Sequence, residues 1–290
     1  MADRVTVDAF AKVNFGLIVG RRANDGFHSL TSLAQSISWS DRLKIGFSDH
    51  DEFIATGMDA SEDNLAWKAL LEVRAEAGSQ RPITIELDKQ IAVAAGLAGG
   101  SADAAAVVAV ASNLLGVNGE RSSALAGRLG SDVPFCLTGG LAILEGRGER
   151  ITPQESAGGF ALGIVVPPLE LATVDVYQRW DELEGPEGVP LPTAALPPQL
   201  RSFEPLRNDL APAAESLAPR VAEWRHELAS RWGRPVAMSG SGPALYAFFV
   251  DEDEAASAIG DRPAGARATM AAVPVARGWR EVPGTLADPE

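Results

Sequence analysis

The chain alternates hydrophobic and polar positions with the period of a β-strand from its first residues. Val5 opens this pattern, which continues through residues 10–19. Side chains of a strand point alternately to its two faces, so Lys12, Asn14 and Gly16 share one face while apolar residues occupy the other. Comparable runs predict further strands at residues 43–47, 83–87, 141–144, 161–166, 236–238 and 244–250.

Stretches with helical spacing separate these strands, and some end at a residue that favours a helix end, such as Gly78. The predicted helices cover residues 64–77, 102–115, 121–129 and 220–232. Strands and helices do not follow a regular βαβ order, so the fold class is α+β. A length of 290 residues is typical of two domains, and the boundary is expected at Gly158. We therefore expect domains at 1–157 and 158–290, with the proline-rich stretch 185–205 as a long surface loop.

The composition narrows the classes of function. The chain has 39 Asp and Glu against 25 Lys and Arg, a formal charge of −14. Such a balance is unsuited to nucleic acid, although backbone N–H groups can still hold a small phosphorylated ligand. Apolar stretches such as 104–111 are too short to cross a bilayer, and the single cysteine, Cys136, excludes an internal disulfide and a Cys-based zinc site. With no apolar signal segment at the start, we expect a cytoplasmic protein without nucleic-acid or membrane partners.

A glycine-rich loop leads from the strand at 83–87 into an alanine-rich helix. Its backbone amides, unobstructed by side chains and placed at a helix start, favour an anion such as phosphate. Ser101 could cap that helix or contact a phosphate or a Mg²⁺-bound water, and Asp103 would complement the helix dipole. The loop could instead be only a tight strand-to-helix turn. It lacks the G-x-x-x-x-G-K-[ST] and G-x-G-x-x-G patterns, so P-loop and dinucleotide-binding folds are not indicated.

Four further residues are candidates for chemistry or recognition. Asp132 follows a glycine in a polar turn, where a carboxylate can reach an alcohol, and Lys12 could stabilise a transferred phosphoryl group. Asp132 could equally form the turn or cap a helix, and Lys12 could extend to solvent. Phe27 and His28 follow a turn signal at residues 23–26, where both can face a pocket. The alternative is a core phenylalanine beside a surface histidine.

Several segments together resemble the GHMP kinases, a superfamily of ATP-dependent small-molecule kinases. The loop at 92–102 is similar to their P-x-x-x-G-L-G-x-S-S motif, with Ala92, Ala98 and Ala102 in place of the usual proline, glycine and serine. Residues 25–28, D-G-F-H, resemble the signature of the branch that phosphorylates cytidine diphosphate-linked methylerythritol. Further matches follow in the family's order at residues 10–15, 129–135, 145–149, 173–177, 208–210 and 238–242.

The resemblance implies a two-lobed GHMP kinase fold, with an N-terminal lobe like ribosomal protein S5 domain 2 and a ferredoxin-like C-terminal lobe. It implies transfer of the γ-phosphoryl of ATP, accompanied by Mg²⁺, to the 2-hydroxyl of the cytidyl substrate in non-mevalonate isoprenoid synthesis. Asp132 would accept or orient the hydroxyl proton and Lys12 would stabilise the phosphoryl oxygens. Phe27 would stack on cytosine and His28 would bind its edge.

The expected contacts form two sets. The substrate contacts are Asn14, Phe27, His28 and Thr173. The ATP contacts are Ala92, Val93, Ala94, Ala95, Gly96, Leu97, Ala98, Gly99, Gly100, Ser101 and Ala102.

Two other interpretations remain open at this point. The protein could be another GHMP kinase, acting on homoserine or mevalonate, but those substrates carry no base for Phe27 and His28 to bind. It could also be a nucleotide-binding relative without turnover, which the presence of both Lys12 and Asp132 disfavours. The sequence carries no indication of the oligomeric state.

Overall fold

The computed structural model describes residues 4–22, 26–58 and 60–283, which adopt an α+β fold with two sheets, as predicted. The strands are β1 (Val5–Arg22), β2 (His28–Phe47), β3 (Glu52–Thr56), β4 (Ile83–Asp88), β5 (Leu141–Gly146), β6 (Arg150–Pro153), β7 (Ala161–Val166), β8 (Ala237–Met238), β9 (Leu245–Phe249), β10 (Ala268–Ala272) and β11 (Trp279–Glu281). The helices are α1 (Leu65–Ala77), α2 (Gly99–Leu115), α3 (Gly119–Leu129), α4 (Val133–Thr138), α5 (Thr173–Glu182), α6 (Ala211–Leu217), α7 (Pro219–Trp232) and α8 (Glu252–Gly260). No helix in these ranges is both long and apolar enough to cross a membrane.

The first sheet is built around the long strand β2. Within the described residues it has seven strands in the order β11-β1-β2-β4-β3, with β5 joined to β2 and β6 joined to β5. The second half of β2 pairs with β4, and its first half pairs with β5. The sequence predicted only residues 43–47 of β2. Its stretch at 32–37 is buried throughout, and a strand buried on both faces loses the alternation that marks a half-buried one.

The pairing of β1 with β2 is interrupted where the polar residues of β1 lie. Register shifts occur between Phe10 and Lys12 and between Asn14 and Gly16. Such irregularities bend a strand and re-aim its side chains, and they are common beside functional sites. The predicted strand is therefore confirmed, and its polar face is locally reshaped.

The helices of the first lobe pack small side chains against the sheet. Helix α1 begins after Asn64, whose side chain accepts a hydrogen bond from the Ala66 amide, and it ends at Gly78 in the left-handed region. Helix α2 buries a run of alanines and valines between α1 and the sheet. It begins at Gly99, three residues before the predicted start, so the last glycines of the loop are already helical.

The second lobe is a four-stranded antiparallel sheet, in the order β10-β7-β9-β8, covered by α5 to α8. The stretch at 185–205 contains two 3₁₀ helices, Thr193–Ala195 and Pro198–Phe203. Leu196 and Leu200 from this stretch are buried, so it packs against the protein and is not only a surface loop.

An apolar layer joins the two sheets. Phe15 of β1 packs edge-on against Phe160 and Phe248, with ring centroids 6.1 and 5.2 Å away. Strand β11 crosses back and pairs with β1 in the first sheet. The domain division at 157/158 stays a prediction, and β11 lies beyond it in sequence.

Candidate active site

A cavity of about 1090 Å³ lies between the two lobes. Its walls come from β1, the glycine-rich loop, the first turn of α2, the turn before α4 and the start of α5. Every predicted site residue except Ala102 lines this cavity. Ala102 is fully buried in the first core, because α2 turns its side chain toward α1 and the sheet.

Lys12 and Asp132 face each other inside the cavity. The Lys12 Nζ lies 3.5 Å from Asp132 Oδ2 and donates to Asn14 Oδ1 at 2.6 Å. Asn14 in turn donates to Ser32 Oγ at 2.7 Å. The Lys12 side chain is 6% exposed, so it does not extend to solvent, whereas Asp132 is 39% exposed. Asp132 precedes α4 without a side-chain capping bond, which leaves its carboxylate available to a ligand.

The glycine-rich loop is fixed to the second lobe. The Gly96 carbonyl accepts a hydrogen bond from Ser239 Oγ at 2.9 Å, and the backbone N–H of Asn14 donates to the same hydroxyl at 3.2 Å. A Cβ on Gly96 would lie 2.4 Å from the Ser239 carbonyl oxygen, so only glycine fits this contact. A single serine of the second lobe therefore ties the loop to the strand that carries Lys12.

The loop ends in a residue whose conformation usually belongs to glycine. Ala98, the N-cap of α2, has a φ of 55° in the left-handed region. The possible N-cap role of Ser101 is wrong, because this conformation starts the helix three residues earlier. Ser101 lies in the first turn and lines the cavity. A Cβ on Gly100 would meet nothing within 4 Å, so this turn is open toward the cavity.

We expect Ala98→Gly to stabilise the fold by about 0.5–1 kcal/mol, because glycine adopts the left-handed region without the steric cost that alanine carries there. Urea unfolding measures this change. Ala109→Gly, inside the same helix, is the matched control and should destabilise by about 1 kcal/mol. A loss of stability in both variants would show that the Ala98 backbone is not strained.

His28 also lines the cavity and is held by residues of both lobes. Its Nδ1 is 3.0 Å from the Gly20 carbonyl oxygen, and its Nε2 is 3.1 Å from Asp181 Oδ1. Its ring stacks on Tyr177, with centroids 5.5 Å apart. Both ring nitrogens thus face oxygen atoms of the protein, whereas the resemblance implied that His28 binds the edge of cytosine.

Phe27 is the most exposed aromatic residue of the cavity. It is 55% exposed, and the Arg147 guanidinium carbon lies 4.0 Å from its ring centroid. A flat aromatic face of this kind suits a planar ligand group. The predicted turn at residues 23–26 lies largely outside the described residues, which resume at Gly26.

Helix α5 contributes residues that the sequence analysis did not assign. Tyr177 and Asp181 line the cavity, and burial, reinforced by the charge of Asp132, raises the pKa of Tyr177 to about 12. Thr173 lies one turn earlier, where its hydroxyl is 2.8 Å from Ser241 Oγ. The three residues are four apart, which places them on one helix face. That spacing, together with the matched Thr173 and Tyr177, was the available signal for Asp181.

Asp103 is not the exposed, dipole-complementing acid that its position in the sequence suggested. It is 1% exposed and accepts a hydrogen bond from Lys89. The earlier start of α2 places it in the second turn, where it points into the protein. Among the described residues there is no group of three or more His, Cys, Asp or Glu side chains that could hold a metal ion.

Comparison with known proteins identifies the family. Residues 64–140 match the GHMP kinases N terminal domain, and residues 198–263 match the GHMP kinases C terminal family. A crystal structure of 4-(cytidine 5'-diphospho)-2C-methyl-D-erythritol kinase superposes with a TM-score of 0.77 at 33% identity, covering 93% of this chain and 98% of that one. A homoserine kinase from Cytophaga hutchinsonii, at 19% identity and a TM-score of 0.68, covers 97% of this chain and 98% of its own, and it shares the fold. The chain belongs to the GHMP kinases.

Two relatives narrow the assignment within that superfamily. One from Mycolicibacterium gilvum is 36% identical over 305 residues, covering 96% of this chain and 93% of its own. One from Cutibacterium acnes is 38% identical over 275 residues, covering 88% of each chain. Both are named 4-diphosphocytidyl-2-C-methyl-D-erythritol kinase. The chain belongs with these enzymes, the 4-diphosphocytidyl-2-C-methyl-D-erythritol kinase family.

Proposed function

We propose that the protein transfers the γ-phosphoryl group of ATP to the 2-hydroxyl of 4-diphosphocytidyl-2-C-methyl-D-erythritol, a step of non-mevalonate isoprenoid synthesis. The observation that carries the proposal is the Lys12–Asp132 pair, which shares one cavity with the glycine-rich start of α2. Phosphoryl transfer requires chiefly alignment and charge stabilisation. This cavity offers an anion-binding turn, a buried cation and an available carboxylate.

Asp132 is the proposed acceptor or orienting group for the proton of the attacking hydroxyl. Its carboxylate makes no capping bond and is partly open to the cavity. Lys12 lies 3.5 Å away, where its ammonium group can stabilise the negative charge that develops on the transferred phosphoryl group. Asn14 fixes the lysine amine through the 2.6 Å hydrogen bond. The proton thus passes from the hydroxyl toward Asp132 as the new O–P bond forms and the bond between the γ-phosphorus and the bridging oxygen breaks, which releases ADP.

ATP is proposed to bind along residues 92–101 with its phosphates at the first turn of α2. The backbone amides of that turn lack intrahelical partners and carry the positive end of the helix dipole. Gly100 presents open space on the cavity side, as close approach by phosphate requires. Mg²⁺ is usually bound by phosphate oxygens, water and one or two protein oxygens. We assign the Ser101 hydroxyl as the protein oxygen that would bind it. When bound, the ion would neutralise phosphate charge.

The cytidyl group is proposed to bind between Phe27 and the start of α5. Phe27 offers an exposed ring, and Tyr177, whose ring stacks on His28, lines the same cavity. Thr173 and Asn14 line the same cavity and are the other proposed substrate contacts. The net charge of −14 supports a small-molecule substrate without a nucleic-acid partner, and the buried free thiol of Cys136 is compatible with the proposed cytoplasmic location.

We expect Phe27→Ala to raise the Michaelis constant for the cytidyl substrate roughly five- to a hundredfold, because base–aromatic stacking is worth about 1–3 kcal/mol. The constant for ATP should change little. His28→Ala should weaken discrimination between cytidyl and uridyl analogues. Titrations of the cytidyl substrate, its uridyl analogue and ATP measure both effects. If only the ATP constant moves, this end of the cavity belongs to the phosphate donor.

An ATP-coupled turnover assay tests the proposed function as a whole. The cytidyl substrate is compared with homoserine and mevalonate at equal concentration, and only the first should be phosphorylated. Turnover of homoserine or mevalonate in its place would assign the protein to another GHMP kinase activity. ATP binding without turnover of any alcohol would favour a non-catalytic relative.

A further inference from the structure

Three ionisable side chains meet beneath the glycine-rich start of α2, apart from the Lys12–Asp132 pair. Lys89 follows β4, and its Nζ donates to Asp41 Oδ2 at 2.5 Å and to Asp103 Oδ2 at 2.6 Å. The exposed fractions of Lys89, Asp41 and Asp103 are 4%, 0% and 1%. A buried ion cluster has a large desolvation cost, so its position beside the cavity calls for a reason.

The hydrogen bonds of the two carboxylates are unequal. Asp41 Oδ1 accepts from the Gln90 and Ile91 amides at 2.6 and 2.8 Å, so Asp41 is fully engaged. Asp103 Oδ1 is buried and has no hydrogen-bond partner among the described residues. An acceptor left in this state favours a protonated carboxyl over a second buried negative charge.

The cluster contacts the turn that the proposed function assigns to phosphate. Lys89 Nζ lies 3.0 Å from the position that a Cβ on Gly99 would take. Lys89 and Asp103 also line the cavity. The ammonium group therefore lies directly against the first residue of α2, and Asp103 anchors the second turn of the same helix to it.

The charges of the cluster balance only when it holds an extra proton. Burial, opposed by Lys89 and reinforced by Asp41, raises the pKa of Asp103 to about 8. Burial lowers the pKa of Lys89, but the two carboxylates outweigh it and raise that pKa. From α4, Cys136 faces the cluster as a neutral thiol, because burial raises its pKa. This shift, together with the unpartnered Oδ1, assigns the extra proton of the cluster to Asp103.

We propose that Lys89, Asp41 and Asp103 are positioning residues that hold the first turn of α2 for the phosphates of ATP, and that a proton on Asp103 keeps this turn free of opposing negative charge. The inference rests on the proposed binding of ATP at this turn. Loss of the proton at alkaline pH places a negative charge beneath the phosphates and weakens their binding. By linkage, ATP binding near that pH takes up a proton.

The test is the pH dependence of the ATP dissociation constant between about pH 7 and 9, a range that spans the proton loss. For the unmodified protein we expect affinity to fall about three- to tenfold with rising pH, as one added charge near the phosphates predicts. Asp103→Asn keeps the shape of the side chain but cannot lose this proton. The ATP affinity of this variant should therefore change little with pH. Asp88→Asn is the matched control, because Asp88 is exposed and adjoins Lys89. The ATP affinity of this variant should still fall with rising pH. An equal fall in Asp103→Asn would overturn the proposal.

A second measurement needs no variant. ATP binding is measured by calorimetry at about pH 8.5, where Asp103 has partly lost its proton. Measurements in two buffers of different ionisation enthalpy should reveal uptake of a fraction of a proton. Binding without uptake would overturn the inference and leave the proposed function standing. Absence of ATP binding at every pH would overturn both. A purely structural cluster would produce no linked proton.

Discussion

Replacing Asp132 by asparagine is expected to lower turnover by roughly a hundredfold or more, the scale of a lost acid–base group, while the melting temperature stays unchanged. Asparagine keeps the shape of the side chain but cannot accept the hydroxyl proton. The Asp132 side chain makes no capping bond and is 39% exposed, so asparagine can replace it without disturbing the packing of the fold. Steady-state kinetics and thermal unfolding of the same preparation separate the two effects.

A control variant at Asp175 and two variants of Lys12 test the same mechanism. Asp175→Asn removes an exposed carboxylate of α5 outside the cavity and should leave turnover unchanged. The turnover of Lys12→Ala should fall as far as that of Asp132→Asn. Lys12→Arg should also lose turnover. The lysine amine is buried against Asn14 at 2.6 Å, and a planar guanidinium cannot occupy that compact site. Turnover like that of the unmodified protein in Asp132→Asn would remove Asp132 from the mechanism.

Gly100→Val should weaken ATP binding roughly ten- to a hundredfold, the cost of losing one or two hydrogen bonds to a charged group. A Cβ at this position meets no protein atom within 4 Å, so the side chain would fill space on the cavity side without disturbing the fold. Binding of the cytidyl substrate should change far less. Separate equilibrium titrations with ATP and with substrate give the two constants.

Gly119→Val is the matched control for this expectation. Gly119 is the first residue of α3, its Cβ would also meet nothing within 4 Å, and it does not line the cavity. It should leave ATP binding intact. Gly99→Val is a poorer test, because its Cβ would lie 2.9 Å from Ile91 Cγ2 and 3.0 Å from Lys89 Nζ. Equal losses for Gly100→Val and Gly119→Val would mean that the loop is only a structural turn.

Local signals predicted those elements whose ends and faces are determined by neighbouring residues. Helix α1 has Asn64 and Gly78 at its two ends, and both were readable because capping depends on residue type. The start of α2 was placed too late, because it depends on a left-handed Ala98, a conformation rare for a residue with a Cβ. Helix α5 was missed because its start at Thr173 has no side-chain cap.

In the candidate site, too, some residues could be predicted from the sequence and others could not. Motif order selected the residues that line the cavity, including Lys12 and Asp132, because a family motif reflects the chemistry directly. The partners of those residues are far away in sequence. Asp181 lies 153 positions from His28, and Asp41 lies 48 positions from Lys89. Only tertiary packing brings such pairs together, so the burial and charge of Asp103 were beyond reach of the sequence alone.

The pairing of β11 with β1 has a consequence for synthesis of the chain on the ribosome. Strand β1, which carries Lys12, precedes every other described element, yet its neighbour at residues 279–281 follows all of them. The edge of β1 at residues 7–9 therefore stays without its strand partner while the whole second lobe is translated. Topologically the second lobe is an insertion into the first, so the sheet that supports Lys12 is completed only after every other described element of the protein has emerged.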